Sequence, residues 1–286
     1  MGTRPRKSLL RAAAGTPIPR GAWLLCAGLA LLALAAASGS AGAANQPPDW
    51  TTTVDGLFSD ADEAAAVAVD AAGDVIAGGL VFDATTGPSF YVTKLSGATG
   101  AEIWHQSLGT GGALAVAVDA AGDVLAAGSV PGAAVDSDFM VVKLAAADGA
   151  ELWRETIDGP DGLDDVAVSV AVDGNGDVIA GGFSTSVATG ADLFVVKLDG
   201  ATGAPIWTGL VDGSAGGNDE ATHVVVDGAG HAIAAGLLRD SITQSDFAVV
   251  KFLPEPSPAL MIASGIGSLG ALFYLRLRRR PGRSDK

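Results

Sequence analysis

Asp173, Asn175 and Asp177 put oxygen-bearing side chains at alternate positions of Asp173-Gly174-Asn175-Gly176-Asp177, the spacing with which short loops wrap calcium. They are the metal candidate of this chain. Two features oppose them: no bidentate glutamate follows, and the parallel segments carry Ala72, Ala121 and Ala229 where the middle ligand would stand. A hairpin turn accounts for every copy. The histidines His105, His223 and His231 have neither metal spacing nor equivalent places. The only cysteine, Cys26, lies near the N-terminus, so thiol catalysis is excluded from everything downstream. Gly265-Ile266-Gly267-Ser268-Leu269-Gly270 has the spacing of a dinucleotide loop but sits inside an apolar run with no strand before it, where small residues favour close helix packing. Trp50, Trp104, Trp153 and Trp207 recur at one place in the repeat, which suits packing between sheets; a cofactor would touch the units unequally. No catalytic residue and no cofactor is read from these patterns.

The frame that carries these residues is repetitive. Val67-Ala68-Val69-Asp70-Ala71-Ala72-Gly73-Asp74 recurs at 116–123, 170–177 and 224–231, and each copy runs on into a short apolar stretch ending in glycine. A third segment ends in Lys94, Lys143, Lys197 or Lys251, stepping by 49, 54 and 54 residues. A fourth begins at Trp104, Trp153 and Trp207. Valine at every second position of 166–172 suits a strand, and Asp-x-x-Gly supplies the turn after it. Four short strands in about 50 residues, repeated, describe propeller blades, with a solenoid of stacked sheets as the rival. The last copy stops at Lys251-Phe252-Leu253 without a tryptophan strand, while Trp50-Thr51-Thr52-Thr53-Val54 precedes the first copy unmatched. The fold expected is all-β: a four-bladed β-propeller whose N-terminal strand completes the last blade, leaving no open edge. An eight-bladed dimer is the alternative assembly. The four lysines hold most of the positive charge in the array and are expected to pair with aspartates; Asp138, Asp192 and Asp246, with Ser89 in the first copy, stand near the start of the same strands.

Charge and the chain ends set the location. Thirty of the 32 acidic residues lie between Asn45 and Leu253 against six basic ones, a balance of −24 in that segment beside −15 for the whole chain. Such a surface excludes nucleic acid as a partner and suits solubility, divalent cations or basic partners. Arg4, Arg6, Lys7, Arg11 and Arg20 precede an apolar core at 22–37 and small residues at 38–44, a signal peptide with cleavage after Ala43 or Ala44 by signal peptidase; an uncleaved anchor is the minority alternative. The mature chain would hold no disulfide. At the other end Pro254-Glu255-Pro256 leads into 20 uncharged residues, 256–275, followed by Arg276, Arg278, Arg279 and Arg280. At about 1.5 Å per residue that run spans roughly 30 Å, a bilayer core, with the arginines held inside. The domains expected are thus a signal peptide over 1–44, a repeat domain over 45–253, and a tail over 254–286 with a transmembrane helix at 257–275.

Residues 254–280 resemble the PEP-CTERM sorting signal of Gram-negative bacteria, with Pro254, Glu255, Pro256 and the arginines in its order. The extra 281–286 depart from its usual end, and a plain single-pass anchor is the alternative. The resemblance implies recognition by an exosortase-type protease, removal of the tail during surface sorting, and a place in the envelope or extracellular matrix beside exopolysaccharide or another surface protein. Asp173-Gly174-Asn175-Gly176-Asp177 and Phe194-Val195-Val196-Lys197-Leu198 resemble bacterial β-propeller repeats of the Asp-x-x-Gly-Asn/Phe-Val-x-Lys-Leu type, and Ala201-Thr202-Gly203 with Trp207 resembles the blade motif of pyrroloquinoline quinone enzymes. These imply blade architecture. The function expected is a non-enzymatic binding or scaffold role; the alternative is an envelope-anchored enzyme of quinoprotein-like or hydrolase type. Recognition would use the loops that differ between copies, at 82–88, 130–135, 184–191 and 238–244.

Overall fold

The computed structural model describes residues 47–56, 61–83, 87–133, 136–214, 216–240 and 245–253. The signal peptide, the sorting residues Pro254, Glu255, Pro256, Arg276, Arg278, Arg279 and Arg280, and the helix expected at 257–275 lie outside them. Among the described residues no helix is long and apolar enough to cross a membrane.

The described fold is all-β, in four antiparallel sheets. The first joins β1 (Glu63–Val69), β2 (Val75–Asp83), β3 (Gly87–Leu95) and β4 (Glu102–Thr110) in sequence order. The second holds β5 (Gly112–Val118), β6 (Val124–Pro131), β7 (Ser137–Leu144) and β8 (Glu151–Ile157). The third holds β9 (Val166–Val172), β10 (Val178–Ser186), β11 (Gly190–Leu198) and β12 (Pro205–Val211). The fourth has only β13 (Glu220–Val226), β14 (Ala232–Leu238) and β15 (Asp246–Phe252). The four segments read from each repeat are thus the four strands of one meander.

Local chemistry fixes each turn. Asp70 Oδ1 accepts the amides of Ala72 and Asp74, both at 2.9 Å, while Gly73 takes φ 86°, open to glycine at no steric cost. Asp119, Asp173 and Asp227 repeat the arrangement. A register shift interrupts the pairing of every first strand with its second, a bulge that bends and twists the sheet.

Consecutive sheets pack face to face and approach most closely at their first strands, β1 on β5, β5 on β9 and β9 on β13. They splay outward like blades around an axis. Three apolar clusters fill the three joints. Ile76, Phe90, Val92 and Trp104 meet Val124, Ala126, Met140 and Val142 at the first. At the second, Leu125, Phe139, Val141 and Trp153 meet Val178, Ala180, Phe194 and Val196, with Phe139 edge-on to Phe194 at 5.4 Å. Ile179, Leu193 and Val195 meet Ala221, Val224 and Ala234 at the third.

The wide outer part of each wedge takes the tryptophan. Trp104 donates its indole N–H to Ala146 O at 3.2 Å, in the turn of the next sheet, and Trp153 does so to Gly200 O at 3.2 Å. Its ring lies against a glycine held at positive φ, Gly149 (72°) for Trp104 and Gly203 (77°) for Trp153. A Cβ there would stand 2.6 Å from Cε3 of either ring, so conformation and contact both require glycine.

Two expectations change. The strand expected at Trp50–Val54 is extended chain without ladder partners, and it lies on the first sheet rather than completing the fourth. Nor do the first and fourth sheets share the close first-strand packing of consecutive sheets, so closure within one chain is not what the described residues form. The physical reason lies in the N-terminal segment, whose Trp50 indole is committed to Gly97 O and whose Thr52 hydroxyl is committed to Gly100 O, both in the first sheet. The strands that approach most closely between sheets are the Val-Ala strands β1, β5, β9 and β13.

Trp153→Ala is expected to cost about 3–5 kcal/mol in urea unfolding, as for other buried aromatic truncations. Trp207, half-exposed and stacked on Phe252 at 5.6 Å, should cost less.

Candidate functional site

The charged residues gather where sheets join. Each repeat lysine reaches back to the turn aspartate of its own sheet: Lys94 to Asp70 at 2.8 Å, Lys143 to Asp119 at 2.8 Å, Lys197 to Asp173 at 2.7 Å and Lys251 to Asp227 at 2.6 Å. Asp74, Asp123 and Asp177 stand as second partners at 3.8, 3.5 and 2.9 Å, whereas in the last sheet His231 stands at that position of the turn and meets Asp227 at 2.8 Å. Two lysines also reach forward. Lys94 donates to Ala146 O at 3.4 Å and Lys143 to Gly200 O at 3.1 Å, the same carbonyls that accept the tryptophans.

This geometry sets the titration of the turns. The Lys94 ammonium holds the Asp70 carboxyl below its ordinary range. Burial pushes Asp119 and Asp173 up, but the lysine and backbone amides outweigh it and both are lowered. For Lys197 burial works against the charge, yet Asp173 and Asp177 raise it overall. The calcium candidate is therefore occupied from within: Asp173 and Asp177 grip an ammonium, and Asp173 Oδ1 accepts the amides of Asn175 and Asp177. Asp173 and Asp177 form a lysine clamp, which Asn175 supports with its backbone amide.

Asp138 and Asp192, considered above as lysine partners, belong to a second kind of cluster. Asp192, Asp212 and Asp219 bring one carboxylate oxygen each within 4.8 Å of one another, and Asp136, Asp138 and Asp158 do the same one joint earlier. Asp192 is 2% exposed and Asp219 fully buried. Asp192 Oδ2 accepts the Thr189 hydroxyl at 2.6 Å, whereas Oδ1, like Oδ1 of Asp136 and of Asp138, is buried with no hydrogen-bond partner. Burial first, then the neighbouring carboxylates, pushes Asp138 and Asp192 up.

A carboxylate staple lies beside each trio. Asp165 accepts the amides of Gly159 and Thr185 at 2.5 and 2.9 Å, and Asp219 those of Gly213, at 2.6 Å, and Arg239. Asp62 accepts Gly56 and Phe82 at 2.7 and 2.8 Å. The sequence reading missed this set. Its signal is Asp-Gly five residues after Trp50, Trp153 and Trp207, with the staple aspartate twelve after each.

A cleft of about 410 Å³ on the first sheet breaks the repetition, lined by Thr53, Tyr91, Glu102, His105 and Ser107 among others. Its polar groups form separate pairs: His105 meets Glu102 at 2.8 Å and stacks on Tyr91 at 5.4 Å, while Ser107 bonds Ser89 at 2.6 Å. Burial, with Glu102, pushes the Tyr91 hydroxyl up to about 12, so it stays protonated. His223 lies on β13, away from both other histidines in the repeat.

No family model and no characterised protein matches the sequence. Solved structures do. BamB from Moraxella catarrhalis is 21% identical with a TM-score of 0.40, covering 67% of this chain and 47% of its own. A quinohemoprotein alcohol dehydrogenase from Comamonas testosteroni is 17% identical with a TM-score of 0.41, over 66% and 35%. A protein from Lactobacillus plantarum is 18% identical with a TM-score of 0.39, over 68% and 57%. The chain thus spans between about a third and three-fifths of the structures it is similar to.

Lys143→Met leaves the Asp119 carboxylate, its side chain 7% exposed, without its cation. The expected cost at pH 7 is about 3 kcal/mol in urea unfolding. Arg154→Met, which breaks an exposed pair with Glu151, should cost under about 1 kcal/mol. Because the folded Asp119 is lowered, its contribution is present above the unfolded value near pH 4 and is lost as pH falls below it. The gap between wild type and Lys143→Met should therefore narrow in acid.

Proposed function

We propose that the protein is an exported, surface-sorted propeller-type scaffold or binding module of the Gram-negative envelope or matrix, and not an enzyme. The observation that carries this reading is the order of the C-terminal tail: Pro254-Glu255-Pro256, an uncharged run over 256–275 and the cluster Arg276, Arg278, Arg279 and Arg280. That order suits an exosortase-type protease acting at the membrane, just as the basic and apolar N-terminus suits signal peptidase.

The fold supports a structural role. Lysines, turn aspartates and tryptophans all hold equivalent places, and each secures one sheet to itself or to the next. Catalysis needs a place where one unit differs from the others. The cleft on the first sheet ties His105 to Glu102 and Ser107 to Ser89 and keeps its tyrosine protonated. Variation is concentrated in the loops between the second and third strands of each sheet, one end of the array, and a glycan of the exopolysaccharide class or another surface protein would bind there.

The intact mass of the protein recovered from the cell surface tests the sorting. A C-terminus near Pro254 is the expected result. A mass that retains 276–286 means a permanent membrane anchor and overturns surface sorting.

A further inference from the structure

We propose that the joints between the second and third and between the third and fourth sheets each bind a divalent cation of the calcium type, through Asp136, Asp138 and Asp158 and through Asp192, Asp212 and Asp219. The two trios share two equivalent members, since Asp138 and Asp192 each stand five residues before the clamp lysine and Asp158 and Asp212 five after the tryptophan; the third differs, Asp136 from the loop before β7 in one and the staple Asp219 in the other. The clamp lysines are committed to the turns, so they do not neutralise these acids. Buried Oδ1 atoms of Asp136, Asp138 and Asp192 have no hydrogen-bond partner, and a buried carboxylate oxygen of this kind is costly unless a proton or a cation satisfies it. An all-oxygen donor set with several carboxylates matches calcium better than magnesium, which keeps its waters, or zinc, which favours nitrogen and sulfur.

The test compares the wild-type chain with Asp138→Asn/Asp192→Asn. In EDTA the double variant should unfold at a higher temperature than wild type, because like-charge repulsion is relieved. Added CaCl₂ should raise the wild-type midpoint and leave the variant's unchanged. Terbium luminescence, excited through Trp153 and Trp207 on the neighbouring strands, should saturate in wild type, fall by roughly half in Asp192→Asn and vanish in the double variant. A wild-type midpoint that ignores CaCl₂, or a variant that binds terbium as wild type does, overturns the proposal.

A different observation carries a second inference, which concerns the unfinished ends. Trp50 occupies on the first sheet the place that Trp104 and Trp153 occupy on the second and third. Its indole N–H donates to Gly97 O at 3.0 Å, its ring lies against Gly100 at φ 70°, and Gly56, six residues on, donates to the staple Asp62. The segment 50–56 is thus held as the outer strand of a preceding sheet whose other three strands are not among the described residues. The fourth sheet has three strands and lacks an outer one. Its outward face shows Val225, Phe247 (90% exposed) and Val249, at the places of the buried Phe90 and Val92 in the first joint. The opposite end shows Val67 and Val69 beside a groove of about 270 Å³ lined by Ala64, Ala77, Gly79, Thr52 and Thr53. Gly79 there matches Gly128, which the Phe90 ring touches in the first joint.

We infer that a second copy of this chain fills the joint, its Trp50 segment pairing with β15 and its groove receiving Phe247. Two such joints, one at each end, close a ring of eight sheets with two-fold symmetry. The register follows from Lys94 facing Trp104 and Val92 facing Gln106: Lys251 faces Trp50 of the other copy, and Val249 faces Thr52.

Full-length chains with Cys26→Ser and either Thr52→Cys or Val249→Cys, differently tagged and mixed, should form a disulfide between the two tags on mild oxidation. Neither variant alone should do so. The double-cysteine chain should give a covalent dimer that runs at twice the monomer mass. An intrachain bond, a ladder beyond the dimer, or no bond because 254–286 or another protein covers the face, overturns the two-copy ring. Phe247→Ala, two residues from Val249 on the same face of β15, should reduce the yield severalfold while leaving the circular dichroism spectrum unchanged.

Discussion

At the first and second joints one carbonyl oxygen accepts two donors from the preceding sheet, an indole N–H and a lysine ammonium. Ala146 O takes Trp104 and Lys94, and Gly200 O takes Trp153 and Lys143. The rest of the array depends on this contact. A twisted four-stranded sheet approaches its neighbour closely only at the inner strands, and the outer wedge must be filled by something large. The tryptophan fills it, and a glycine at positive φ lets the next turn come close enough to close over the ring. The lysine ties that same turn to the aspartate turn at the other end of its own strand pair, so one residue couples the internal order of a sheet to its docking.

The acidity of the chain has to be understood against this frame. The turn aspartates Asp70, Asp119 and Asp173 are lowered by lysine and backbone amides, whereas Asp138 and Asp192 are raised by burial and by neighbouring carboxylates. The first set adds stability above the unfolded carboxylate value and loses it in acid. The second has the opposite sign: its folded pKa is raised, so its protonated form is favoured and stability falls as pH rises through the window above the unfolded value. The protein, at net −15, therefore carries both stabilising and destabilising carboxylates within one repeat, and a cation would settle the second set.

Much of this was legible in the sequence. The period, the four strands per unit, the Asp-x-x-Gly turns and the packing role of the tryptophans all follow from residues that recur at fixed steps. The pairing of lysine with aspartate was legible too, but not the partner: Asp138 and Asp192 lie near the lysine in sequence, while strand pairing brings Asp119 and Asp173, 24 residues away, across the sheet. The weak calcium candidate Asp173, Asn175 and Asp177 shows the same limit, since spacing along the chain says nothing of the ammonium that enters from β11. Closure was misread because the sequence counts strands and not the sheet on which each one docks. The spare strand and the missing strand were both correctly seen; whether one chain brings them together depends on where Trp50 and Thr52 are held, which no local pattern encodes. The staple aspartates were visible in principle, as Asp-Gly and aspartate at fixed distances after tryptophan, but the first joint lacks them and hides the repeat.

The central claim is that the joint seen three times within the chain is also the joint its ends are built to make. Amide hydrogen exchange along β15 in the full-length protein tests it most directly. β15 pairs with β14 on one side, so its amides alternate between paired and outward-facing. The account predicts that outward-facing amides between Asp246 and Phe252 are protected as strongly as those facing β14, and that protection extends to Thr51–Val54. Fast exchange of every outward-facing amide of β15, with slow exchange of the rest, would show a free edge and contradict it.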